Sequence, residues 1–77
     1  MNRKVKLIWD FRGPVAEQTA KHHCIHLKEF AERDGLTYFD IGDTVLSEMY
    51  AIAFITVDEA LMPTFRDALK PHRGELA

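Results

Sequence analysis

Cysteine is nearly absent from this chain of 77 residues: Cys24 stands alone, so no disulfide can close within it. A small domain without that staple must hold together through its core or through assembly. With no second thiol and no export signal, a reducing, cytoplasmic setting is expected. Long apolar runs are lacking too. No window reaches the length of a membrane span, and Arg3, Lys4, Lys6 and Asp10 interrupt the opening stretch where a signal peptide would be apolar. There is no excess of positive charge. Twelve acidic and ten basic side chains give a net charge of -2, which offers no footprint for nucleic acid or an anionic membrane. No repeat, low-complexity stretch or linker divides the chain, so residues 1–77 are read as a single α+β domain.

What is present is most informative at residues 51–57, Ala-Ile-Ala-Phe-Ile-Thr-Val. The run is short, β-branched and aromatic, the pattern of a strand buried on both faces. Helices on one side of a sheet cover only one of those faces. The expectation is therefore a homodimer in which a second copy covers the other sheet face.

Val5–Phe11 alternates, with Val5, Leu7, Trp9 and Phe11 on one side, and reads as a half-buried strand. Gly13 is expected as the N-cap and Pro14 as the first residue of a helix running to about Asp34, with Gly35 as its stop. Ala16, Ala20, His23, Leu27, Phe30 and Ala31 share its inner side, with Cys24 at the margin. Ile25 lies near the centre of its wet face. Leu36–Ile41 reads as the second strand, Gly42-Asp43 as a bulge or turn, Val45–Glu48 as the lead into a hairpin, and Tyr50–Val57 as the third strand. Asp58 is a good cap for a last helix with Leu61, Phe65, Ala68 and Leu69 inside. Pro63 belongs in its first turn. Pro71–Ala77 is left as a short polar tail, one that its Pro, His, Arg and Gly suit to folding back onto the sheet edge or a partner.

The resulting plan is β-α-β-β-α: a three-stranded antiparallel or mixed sheet with the third strand central and two helices on one face. This order resembles a ferredoxin-like sandwich that stops before its fourth strand.

Three of the four histidines fall in His22-His23-Cys24-Ile25-His26. The i,i+4 pair His22 and His26 can grip a divalent transition metal, given a third ligand such as His72. The plainer reading packs His23 at the core edge and leaves His22 and His26 solvated. Cys24 and His23 point about 100° apart on a helix, so they do not make a nucleophilic pair. A structural thiol is expected. The topology also gathers Asp10, Arg12, Glu48, Tyr50, His72, Arg73 and His22 at one edge, a mix able to bind a small anion or to do acid–base work, or else a solvated rim.

Two further resemblances bear on function. Tyr50-Ala51-Ile52-Ala53-Phe54-Ile55-Thr56-Val57 resembles the third strand of RNA-recognition-motif domains, where alternate aromatics stack bases. Here Ser47-Glu48-Met49 replaces the basic lead-in, and nucleic acid is not the expected partner. His26-Leu27, Gly35 and Gly42 stand in an order similar to that of the dimeric α+β-barrel proteins. That resemblance implies a homodimer, and possible enzymes with His22, His23 or His26 as general base and Arg12 or Arg73 holding an anionic substrate. The function expected from the residues is a small binding or structural module for a small molecule or partner protein. No cofactor is expected, and enzymatic or metal-binding roles are the alternatives.

Overall fold

A computed structural model describes residues 3–77. The chain runs β1 (Lys4–Arg12), α1 (Ala16–Arg33), β2 (Asp40–Ser47), β3 (Tyr50–Asp58), a 3-10 turn (Glu59–Leu61), α2 (Met62–Leu69) and β4 (Arg73–Leu76). The fold is α+β, with one four-stranded sheet in the order β2-β3-β1-β4. Every neighbouring pair is antiparallel. β3 sits between β1 and β2, as its apolar sequence implied.

The expected three-stranded β-α-β-β-α plan is corrected by β4. Pro71–Ala77 does fold back onto the sheet edge, and it does so as a strand and not as a polar tail: Val5–Ile8 pairs with Leu76–Arg73 along the edge of β1. The cause is backbone chemistry. β1 is paired by β3 on one side only, and the chain end supplies the ladder for the N–H and C=O groups of its other side. The mixed sheet is corrected as well: β1 and β2 point the same way but never touch.

Other boundaries move. α1 begins at Ala16 after Val15, since residues 13–16 first close a turn in which Ala16 N–H donates to Gly13 O at 3.1 Å. Gly35 does end the helix. Its φ is +66°, Leu36 N–H donates to Ala31 O at 2.8 Å, and Gly35 N–H to Glu32 O at 3.3 Å. This double closure requires a left-handed residue. β2 starts later than expected and contains Gly42, Asp43 and Val45, and the irregularity in its pairing falls between Val45 and Ser47. Gly42 has a different reason to be glycine: a Cβ there would lie 2.8 Å from Cζ of Phe54. Pro63 lies in the first turn of α2, where its missing N–H removes no helical bond. Asp58 caps the 3-10 turn ahead of it, accepting from Ala60 N–H at 2.8 Å.

Both helices cover one face. Leu7, Trp9, Ile55 and Val57 from the sheet meet Leu27 and Ala31 of α1 and Phe65 of α2. Ala16 and Ala20 of α1 lie against Ala51 and Ala53, small residues that let helix and sheet approach closely. Trp9 Nε1–H donates to Leu69 O at 2.9 Å, fixing the last turn of α2 to β1.

Candidate functional site

The face of the sheet away from the helices carries the charge chemistry. Alternation puts Lys4, Lys6, Ile8, Asp10 and Arg12 of β1 there, beside Tyr50, Ile52, Phe54 and Thr56 of β3. Its centre is already closed. Ile8 is 2% exposed and Ile52 8%, although no helix covers them. The cover comes from long side chains of the same chain. Lys6 lies over the Phe54 ring at 4.2 Å and Arg12 over Tyr50 at 4.1 Å.

Asp10 is the hub at one end of this face. Its carboxylate accepts from the Tyr50 hydroxyl and from Arg73 twice, Nε and Nη2 each at 3.2 Å. Arg73 Nη1 also reaches Glu75 at 3.1 Å. The Asp10 backbone N–H donates to His72 Nδ1 at 2.8 Å, and His72 N–H donates to Ile8 O at 2.9 Å. The imidazole thus continues the β1–β4 ladder one position past Arg73. The Tyr50 hydrogen bond, followed by those of Arg73, holds the Asp10 carboxyl below the ordinary carboxylate range, against the opposing effect of burial. The same bonds push the Tyr50 hydroxyl and the Arg73 guanidinium up.

Five of the residues gathered from the sequence, Asp10, Arg12, Tyr50, His72 and Arg73, therefore do lie together. Glu48 is in the β2–β3 turn and His22 on the outer side of α1, and neither joins the hub. Lys6, Phe54 and Glu75 belong to the same face and were not singled out. Strand alternation is the signal that would have found the first two. Within the hub the Tyr50 hydroxyl and the Arg73 guanidinium both have carboxylate acceptors. Arg12 differs: among the described residues no carboxylate lies within ion-pair distance of it. Its guanidinium lies over the Tyr50 ring, and among the described residues no side-chain acceptor takes its N–H groups.

The helix histidines divide. His23 packs between Trp9 and Phe11, ring centroids at 4.7 and 5.5 Å, and its Nε2 is buried without a hydrogen-bond partner. Burial first, then the nearby His26 and His72, push its pKa below the ordinary imidazole value. His22 and His26 stack edge to face at 4.5 Å on the exposed side. Among the described residues no cluster of three or more metal-ligating side chains forms around them. Cys24 Sγ–H donates to Gly42 O at 3.0 Å, and burial, then Asp43, push its thiol pKa up. A thiol held in the protonated form is a poor nucleophile.

An open groove of about 980 Å³ lies between the helices, lined by His23, His26, Glu29, Phe30, Arg33 and Leu69 among others. Among the described residues, no helix is long and apolar enough to cross a membrane. Compared with protein-family models, curated proteins and solved structures, the chain matches none.

Proposed function

We propose that this protein is a small binding module whose open sheet face holds an anionic small molecule with a flat, unsaturated part. One observation supports the reading: Arg12 lies over Tyr50 with no carboxylate partner among the described residues, beside a hub whose own charges are paired. A carboxylate or phosphate would take two parallel N–H bonds from Arg12, and the flat part would lie against the outer side of the Arg12 guanidinium, which itself covers the Tyr50 ring. The element order and the insertion of β3 between β1 and β2 support a ferredoxin-like arrangement, completed by β4. The open face is also where a face-to-face homodimer would form, so a second sheet and a ligand compete for it.

The test is a two-dimensional NMR titration of the full chain with benzoate, phenyl phosphate and inorganic phosphate. Shifts centred on Arg12, Tyr50 and Phe54, lost in Arg12→Gln, support the reading. Absence of shifts at about 10 mM ligand, an affinity too weak for any dedicated site, overturns it.

The interhelical groove favours a second reading, an enzyme with a helix histidine as base. His26 and Arg33 of α1 both line it. His23 also lines that groove, with its Nε2 buried and unpartnered. Shifts centred on His26 and Arg33 in the same titration favour this reading over the first.

A further inference from the structure

β4 is fastened to β1 by two kinds of acceptor. Over Arg73–Leu76 the pairing with β1 is the ordinary backbone ladder. One position earlier a side chain takes over. His72 N–H donates to Ile8 O at 2.9 Å, and its ring nitrogen Nδ1 accepts from Asp10 N–H at 2.8 Å, standing where a strand would offer a carbonyl. A backbone carbonyl accepts at every pH. An imidazole nitrogen accepts only while it carries no proton. The bond from Asp10 therefore requires the neutral tautomer of His72 with its proton on Nε2. The side chain is 52% exposed, so solvent protons reach it.

The surroundings also set what a protonated His72 would meet. The nearest acid is the carboxylate of Asp10 itself, with Oδ2 at 4.0 Å from Nδ1. That oxygen takes Arg73 Nε at 3.2 Å, while Oδ1 takes the Tyr50 hydroxyl and Arg73 Nη2. Arg73 has a second acid in Glu75. From α1, His23 approaches the same corner. Phe11 stands against both imidazoles, at centroid distances of 5.5 Å from His23 and 6.4 Å from His72. Between about pH 5 and 8, where ordinary imidazoles change charge, Asp10 stays ionised while Tyr50 and Arg73 stay protonated. The hub holds the first pKa down and the other two up. Burial favours the neutral form of His23.

We propose that His72 is a proton-operated latch on the start of β4. Without a proton, Nδ1 receives the Asp10 N–H and closes the ladder. With one taken from solvent, Nδ1–H and the Asp10 N–H become two donors face to face. The rung opens, and the ring turns its new N–H to Asp10 Oδ2, displacing Arg73 Nε. Arg73 keeps Oδ1 and Glu75. One proton thus exchanges a backbone contact for a side-chain one, and the carboxylate already at the corner compensates the new charge. The segment released is the connection from α2 to β4. Within it Lys70 holds a left-handed φ of +52°, a conformation uncommon for a residue with a Cβ. The latch depends on no ligand, so it stands or falls independently of the binding reading.

The experiment is an NMR titration of the full chain between about pH 5 and 8, following the Asp10 amide and the His72 ring together. On acidification the Asp10 amide proton should move upfield and its protection from exchange, corrected for intrinsic rates, should fall several-fold. Both changes should share the midpoint of the His72 Cε1–H. Two variants assign the cause. In His72→Asn, the side-chain Oδ1 is attached to Cγ as Nδ1 is and accepts at any pH, so the Asp10 amide should stay downfield throughout. In His72→Ala it should be upfield throughout. An Asp10 amide that ignores the His72 midpoint in the wild type, or that titrates in either variant as it does in the wild type, overturns the latch.

Discussion

Replacing His23 by phenylalanine tests whether this histidine is a packing residue. The ring would keep its place between Trp9 and Phe11. What it removes is Nε2, buried with no partner. A buried polar atom left unsatisfied costs about 1–3 kcal/mol. Part of that gain is lost to the imperfect fit of a larger ring, so His23→Phe should stabilise the fold by about 1 kcal/mol near neutral pH. In a domain this size, that raises Tm by about 4–8 °C. The effect must also depend on pH in a fixed direction. Burial lowers the imidazole pKa in the folded state, so below the ordinary value of about 6.5 the unfolded chain binds a proton that the folded one refuses. The contribution of His23 is therefore fully present above that value. It is lost as pH falls toward the folded pKa, by at most about 1.4 kcal/mol per pH unit. His23→Phe lacks this loss, while His22, His26 and His72 are common to both proteins. Urea unfolding of both at about pH 7.5 and 5.5 measures the difference. The variant should be ahead at the higher pH and further ahead at the lower. A variant less stable at both, or a gap that does not widen on acidification, refutes the account of His23 as a neutral, unpartnered ring.

The Asp10 hub should show the opposite end of the pH scale. Its carboxyl is held below the ordinary range by Tyr50 and Arg73, so its contribution is present above the unfolded value of about 3.9 and lost as pH falls through the folded one. Asp10→Asn should therefore be less stable than the wild type at neutral pH and flatter below about pH 4. Unfolding curves from about pH 2 to 7 check this. Cys24, with its thiol held protonated and bonded to Gly42 O, should react with iodoacetamide much more slowly than free cysteine at the same pH. It should reach the free rate only in denaturant, as followed by mass spectrometry.

Much of the local structure was legible because it depends on short-range periodicity. The apolar stripe of α1, the stop at Gly35, the late start imposed by Pro63 and the central place of β3 all follow from spacing and from residue conformational limits. The candidate site was half legible. Asp10, Arg12, Tyr50, His72 and Arg73 could be brought to one edge by topology alone. Which donors were spent and which stayed free could not be read, because that turns on distances. Arg12 and Arg73 look equivalent as letters, yet Arg73 is committed to Asp10 and Glu75 while Arg12 has a ring beneath it and, among the described residues, no acid within ion-pair distance.

The fourth strand shows where reading by periodicity fails. Arg73-Gly74-Glu75-Leu76 has no apolar alternation that marks a strand, and by itself it would not form one. It is a strand because β1 offers an open row of N–H and C=O groups and because Arg73 finds Asp10, 63 positions earlier. Gly42 is a similar case: in sequence it suggests a bulge, and in the fold it makes room for Phe54. The sequence by itself determined where the two helices lie to within a few residues, which strand is central and which helix side is buried, since these depend on neighbours within a few positions. The tertiary structure alone decided the fourth strand and the pairing of the hub, since each depends on groups that meet only once the chain has closed on itself.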